Sequence, residues 1–184
     1  GSSAGIVDGT TAGQESLTVN GNLLLSSGVG GNVPLGNLTV SGTTEVDGGV
    51  LTTDGAQSYN GAFIIGEGVG DVTTINAGGD IIFAGTVDSQ AGISKRLVVN
   101  TSNNAVTRFE DAVGAGNGVR SLQTNANGRT EIAANISTGG GDIDFGDAVL
   151  IDANVRVEAS FGLITFDSTV DGSVNGLFDL TVAT

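Results

Sequence analysis

The chain has no cysteine, histidine, tryptophan or methionine, and a single proline among its 184 residues. Without cysteine there are no disulfides, thiolate metal sites or thiol catalysis, and such usage is compatible with an exported bacterial protein. Without histidine as well, nucleophile–histidine–carboxylate arrangements and histidine metal centres cannot be built. Aromatic residues are limited to one tyrosine and seven phenylalanines, which excludes a large aromatic-rich core and leaves packing to Val, Ile, Leu and Ala. Basic side chains are also scarce, six against twenty acidic for a net charge of −14. All six (Lys95, Arg96, Arg108, Arg120, Arg129, Arg156) lie beyond position 94. Binding a phosphate backbone by counterion release needs a basic surface, so no nucleic-acid partner is expected, and an anionic membrane would repel the chain. No apolar run approaches the roughly 20 residues of a spanning helix, and the first residues do not read as a charged, apolar, small-residue export signal. No membrane insertion by this segment is expected.

What is present is glycine, 32 residues of it, with 39% hydrophobic and 14% charged residues. That is too apolar and too weakly charged for a disordered chain. Helix is disfavoured, because each glycine costs about 1 kcal/mol in a helix interior and no segment carries a sustained 3.6-residue stripe. The visible period is two. LTV, TEV, DIIF, VTRF, DIDF, VRVE and LITF are rich in β-branched residues and bounded by Gly, Asn, Asp or Ser, the pattern of short strands.

These strands recur. GGDIIFAGTVDS at 78–89 returns 83 positions later as FGLITFDSTVDG at 161–172. LTVN at 17–20 returns as LVVN at 97–100 and LTVA at 180–183, TTEVDGGVLTT at 43–53 answers RTEIAANISTG at 129–139, and TTINA at 73–77 answers VRVEA at 155–159. This long repeat is expected to divide the chain into 1–15 (Gly1-Ser2, which read as a cloning remnant, and a partial repeat), a first full copy at 16–96, a second at 97–179, and the start of a third at 180–184. The whole is expected to be one continuous solenoid cut from a longer array. A finer element, an aromatic residue with a small one three positions on and Val or Phe four on, begins at Tyr59, Phe83, Phe109, Phe145 and Phe166. Leu25 to Val29 is a degraded sixth copy, and the successive starts are separated by 34, 24, 26, 36 and 21 positions. Solenoid coils run to about 20–30 residues, so the longer intervals are expected to hold an insertion or a further coil.

Short strands with glycine-rich corners, repeated in coils, predict an all-β parallel β-helix, with the aromatic and aliphatic residues of each element inside and the small residue near the bend. On this reading Phe83 and Val87 are core and Thr86 lies at a bend, while Asp80 and Asp88 are corner residues. The alternative is a pair of tandem β-sandwich domains, in which the Asn-Gly pairs at 20–21, 60–61, 117–118, 127–128 and 175–176 would be hairpin turns. Runs such as SLTVNG, GGVLTTDGAQSYNGAF, GGDIIFAGTVDS and DFGDAV resemble the β-strand repeat arrays of very large bacterial surface and secreted proteins, the filamentous-haemagglutinin-like adhesins and autotransporter passenger regions. The resemblance extends from about Ser16 onward and lies in repeat style. It implies a right-handed parallel β-helix acting as a stalk or adhesive shaft, on the bacterial surface or outside the cell. It supplies no catalytic residues.

Chemistry in such a chain would have to rest on carboxylates. Asp142 with Asp144, or Glu110 with Asp111, are the candidate pairs for glycoside hydrolysis, since that reaction needs two facing carboxyl groups. In the plainer reading Asp142 and Asp144 flank an inward Ile143, and Glu110-Asp111 form a corner. Calcium is the one cofactor considered. GEGVGDVTT at 66–74 matches the G-G-x-G-x-D-x-U-x repeat at Gly66 and Asp71 but carries Glu67 and Val69 where two glycines are required. GAGNG at 114–118 lacks the lysine of a phosphate loop. Asn37, Asn100 and Asn135 each begin a glycosylation-type triplet, and Thr52-Thr53 and Thr73-Thr74 do not form the regular array of an ice-binding face. The expectation is a structural or adhesive repeat segment with no enzymatic activity, no metal site and no bound cofactor. Its partners are the neighbouring repeats of its parent chain and host, cell-surface or carbohydrate ligands. A calcium- or carbohydrate-binding module is the second reading and a polysaccharide-active enzyme the third.

Overall fold

The computed structural model describes residues 7–47, 49–68 and 70–184. Within them the chain forms 21 strands of three to six residues and no helix. The strand pairings are all parallel. That excludes the tandem sandwich, whose sheets would be built from antiparallel strands. The protein is a parallel β-helix of about seven turns.

Each turn visits three faces in order. Face I is an eight-stranded sheet of β1 (Leu17–Val19), β3 (Leu38–Val40), β6 (Gln57–Tyr59), β9 (Ile81–Phe83), β12 (Val106–Phe109), β14 (Arg129–Ile132), β17 (Ala148–Ile151) and β20 (Val170–Gly172). Face II holds β2 (Leu23–Leu25), β4 (Thr44–Val46), β7 (Phe63–Ile65) and β10 (Val87–Ser89), then β15 (Ile136–Thr138), β18 (Val155–Ala159) and β21 (Leu180–Ala183). Val113 bridges Val87 to Ile136 and makes these two groups one row. Face III is β5 (Val50–Thr53), β8 (Val72–Ala77), β11 (Arg96–Thr101), β13 (Ser121–Thr124), β16 (Ile143–Phe145) and β19 (Ile164–Phe166), which Val29 extends by its bridge to Leu51. Register partners down face I are Leu17, Leu38, Gln57, Ile81, Thr107, Thr130, Val149 and Val170. The turns between them are unequal, the shortest running from Leu38 to Gln57 and from Thr130 to Val149, the longest from Ile81 to Thr107.

The recurring element is a corner, and it serves all three corners of the triangle. Tyr59, Phe83 and Phe109 end face I strands and lead to face II, Phe145 and Phe166 end face III strands and lead to face I, and Leu25 leads from face II to Val29 on face III. The intervals Tyr59 to Phe83, Phe83 to Phe109 and Phe145 to Phe166 are therefore single turns. The longer intervals, Leu25 to Tyr59 and Phe109 to Phe145, contain one turn and two further sides, neither an insertion nor a whole extra coil. The long repeat behaves likewise. From β1 on face I, three turns lead to β9 and two more sides to β11 on face III, where LTVN recurs as LVVN; three turns and two sides beyond, LTVA falls on β21 of face II. Each copy of the repeat is thus displaced by one face relative to the last.

Strand alternation fills the interior. Tyr59, Phe63, Phe83, Phe109 and Phe145 are fully buried, as are Val87 and Val113. Although aromatics are few, they are concentrated: Phe83 stacks between Tyr59 (5.3 Å between ring centroids) and Phe109 (5.2 Å), with Phe63 edge-on at 5.2 Å. Register forces this, because Tyr59, Phe83 and Phe109 are direct partners in neighbouring turns. The core is therefore more aromatic than the composition implies.

The Asn and Asp residues at corners do more than relax the backbone. Asn22, Asn37, Asp80, Asn135, Asp142 and Asn154 stand immediately before strands. Each offers its side-chain Oδ1 to the backbone N–H of the equivalent residue one turn on: Thr43, Ala56, Val106, Arg156, Leu163 and Asp179, at 2.8–2.9 Å. An amide at a strand's entry, where the parallel ladder has yet to start, thereby finds an acceptor. Asp80 is the corner residue the sequence predicts. Asp88 belongs instead to the outward row of face II, where its carboxylate accepts the N–H groups of Gly116 and Asn117.

Candidate functional site

The sequence candidates separate in space. Asp142 and Asp144 flank the buried Ile143 as expected, with Asp142 exposed at the corner and Asp144 half-buried on the outward side of face III. Asp142 is engaged as a staple to Leu163, and Asp144 Oδ2 accepts a hydrogen bond from Gln123 Nε2 at 3.2 Å. Burial, together with the nearby Asp167 and Asp142 charges, pushes the Asp144 carboxyl above the usual carboxylate range. Its other oxygen, Oδ1, is buried with no hydrogen-bond partner. Glu110 and Asp111 lie at a face I–face II corner, where Glu110 pairs with Arg108 at 3.0 Å and Asp111 Oδ1 accepts the N–H of Ala112 at 2.7 Å. Both of their carboxylates are occupied locally.

Of the calcium-like stretch, Val69 lies outside the described residues. The Gly68 carbonyl, an oxygen such a loop would turn toward a cation, receives the Lys95 ammonium. Among the described residues no three carboxylates converge as a metal-binding group. Asn37 and Asn135 are corner staples, and Asn100 donates through Nδ2 to Asn76 Oδ1 at 2.9 Å, so the three triplet asparagines are tied into inter-turn hydrogen bonds.

A groove on face III gathers residues that pattern-reading leaves scattered. Asp71, Arg96, Arg120, Ser121, Gln123, Asp142, Asp144 and Phe161 line an open channel of about 760 Å³ that runs along the axis across successive turns. Backbone ladders fix their order: Arg96 N–H donates to the Asp71 carbonyl at 2.9 Å, Arg120 N–H to the Lys95 carbonyl at 2.8 Å, and Gln123 is the register partner of Asp144. Elsewhere arginines are neutralised. Arg108 meets Glu110, Glu131 and Asp152, Arg129 meets Glu131, and Arg156 meets Glu158. Arg96 and Arg120 form no ion pair among the described residues, and the Phe161 side chain stands in solvent with the residue 89% exposed. One signal of this is present in the sequence: in the match between 78–89 and 161–172, Phe161 replaces Gly78, an aromatic ring in place of a corner glycine.

A second polar feature lies inside the helix, at the corner from face III to face I. Gln57 is fully buried; its Nε2 donates to Asn76 O at 2.8 Å and to Thr53 Oγ1 at 3.1 Å, and its Oε1 accepts the Tyr59 hydroxyl at 2.5 Å. Further along, Thr130 Oγ1 donates to Asp147 Oδ1 at 2.7 Å, and Asp147 Oδ2 is buried without a partner. Desolvation raises the Asp147 carboxyl, outweighing the Thr130 hydrogen bond. A carboxyl raised on folding binds more proton in the native than in the unfolded chain, so its contribution to stability falls as pH rises from about 4 through the folded value. Asp147→Asn should remove that slope and gain about 1 kcal/mol at neutral pH, by relieving a buried charge with an unpaired oxygen. Urea denaturation of both proteins at several pH values checks this; equal slopes would show Asp147 to be ionised without penalty.

The architecture places the chain in the class of parallel β-helix solenoids. No protein-family model, curated protein or solved structure matches it.

Proposed function

We propose that this chain is a structural, non-enzymatic segment of a large bacterial cell-surface or secreted protein, serving as a rigid shaft in adhesion. The observation that carries the reading is continuity. One row of parallel strands on face I and one hydrophobic core run through every turn, with corner staples at all three edges. Bending such a body stretches inter-turn hydrogen bonds on one side and unstacks core side chains, so the structure resists it. In this role the partners are the neighbouring repeats of the parent chain and the host, cell-surface or carbohydrate ligands that a shaft would present. Repeat style supports the extracellular setting, and an acidic surface keeps a long fibre soluble. No helix among the described residues is long and apolar enough to cross a membrane.

Absence of cysteine makes a direct test simple. Thr18 and Asp171 stand at the two ends of the outward row on face I, seven register steps apart. With Thr18→Cys and Asp171→Cys spin-labelled, the distance distribution should be a single narrow peak near 34 Å, from about 4.8 Å per step. A broad or multimodal distribution would refute a rigid shaft.

A further inference from the structure

We propose that the face III groove is a binding site for an extended neutral oligosaccharide, a function independent of the shaft reading. The argument begins with charge. In a chain of net charge −14, Arg96 and Arg120, which form no ion pair among the described residues, both lie in this groove, with Asp71 on one side and Asp142 and Asp144 on the other. An anionic ligand spanning the groove would meet the aspartates, and a cationic one the arginines. A guanidinium only donates hydrogen bonds and a carboxylate only accepts them, whereas a sugar hydroxyl does both. A neutral polyhydroxylated chain is therefore the ligand that satisfies the whole row.

Geometry supports the same occupant. The donors and acceptors are laid out turn by turn, about 4.8 Å apart along the axis, so the ligand must itself be extended and repetitive. The volume of about 760 Å³ lies within the range of ligand sites, though the groove is open at the surface, as a site for a long chain must be. Asp142, exposed at the corner, accepts the Leu163 N–H through Oδ1 and leaves Oδ2 turned to solvent as an acceptor for a ligand hydroxyl. Beyond Asp142, Phe161 presents a solvent-exposed ring, an apolar platform for the C–H-lined face of a pyranose.

The test is a titration of the isotopically labelled chain with cellohexaose, xylohexaose and mannohexaose, followed by amide chemical shifts, with hexagalacturonate as the charged comparison. At least one neutral hexasaccharide should shift the amides of Arg96, Arg120, Gln123 and Asp144. Phe161→Ala and Arg120→Gln should each weaken that binding by about tenfold. Arg156→Gln, on face II, should leave it unchanged. Both groove side chains point into solvent, so the variants are expected to fold, and circular dichroism with the sedimentation profile verifies fold and oligomeric state. The proposal is overturned if no neutral hexasaccharide shifts these amides at millimolar concentration, if only hexagalacturonate does, or if both folded groove variants bind as tightly as the parent. None of these results would alter the spin-label distances, so the shaft reading stands or falls separately.

Discussion

Phe83→Ala should lower the unfolding free energy by about 3–5 kcal/mol, the cost of deleting a fully buried phenylalanine. Phe83 is fully buried, stacked against Tyr59 at 16° and Phe109 at 3° between ring planes, and met edge-on by Phe63 at 82°. Three aromatic contacts disappear together, each worth about 0.5–1.5 kcal/mol beyond its area. Collapse cannot refill the space, because the flanking rings are held by the inter-turn ladders of β6, β9 and β12. Phe166→Ala provides the comparison. Phe166 stacks on a single ring, Phe145 at 5.2 Å, and is only partly buried, so its loss should cost clearly less. Urea denaturation of the three proteins decides it, and a Phe83→Ala cost below about 1 kcal/mol would mean that the ladder contributes little. A double-mutant cycle of Phe83 and Phe109 should give a coupling energy, since the two rings are in direct contact.

That ladder marks where the sequence is readable and where it is not. Inward residues are legible because a strand's period of two and a corner's fixed length are local properties, so Tyr59, Phe83, Phe109 and Phe145 can be placed in the core without knowing which face they occupy. Face identity is not legible. All three corners use the same chemistry of Gly, Asn and Asp, so IFAGTV and TFDSTV look alike although the first turns from face I to II and the second from face III to I. The long repeat hides this further, since three turns and two sides move every matching strand to a different face.

The groove is unreadable for a related reason. Arg96, Arg120, Asp144 and Phe161 become neighbours only through turns of unequal length, so no fixed spacing connects them. The buried polar seam at Gln57, Thr130 and Asp147 escapes pattern-reading because interior polar residues in a strand look like outward ones. Corner staples are half-legible: Asp80 and Asp142 can be assigned to corners or solvent, but a hydrogen bond to the next turn depends on register, which is a tertiary property.

Corner glycines give the other large effect. Gly21, Gly42, Gly61 and Gly85 form a column at the bend from face I to face II, each stacked on the peptide of the one before. A Cβ on Gly61 would lie 2.6 Å from both the carbon and the oxygen of the Gly42 carbonyl and 2.9 Å from Thr43 N. These are backbone atoms pinned by the ladder, since Gly42 N–H donates to Gly21 O at 3.0 Å and Thr44 N–H to Ala62 O at 2.8 Å, and they cannot swing aside as a side-chain tip would. Gly61 is not among the glycines with positive φ, so the requirement is space and not backbone freedom. Gly61→Ala should therefore force the turns apart locally and destabilise by about 3 kcal/mol, at the upper end of overpacking costs. Gly139→Ala is the informative contrast: its Cβ would meet only ordinary contacts at 3.8–3.9 Å and its φ is not left-handed, so it should be neutral or gain a few tenths of a kcal/mol from a stiffer unfolded chain. Melting and urea midpoints of the two variants distinguish the cases. Equal stability would mean that the column can spread without cost, and a solenoid able to spread there would be a spring instead of a shaft.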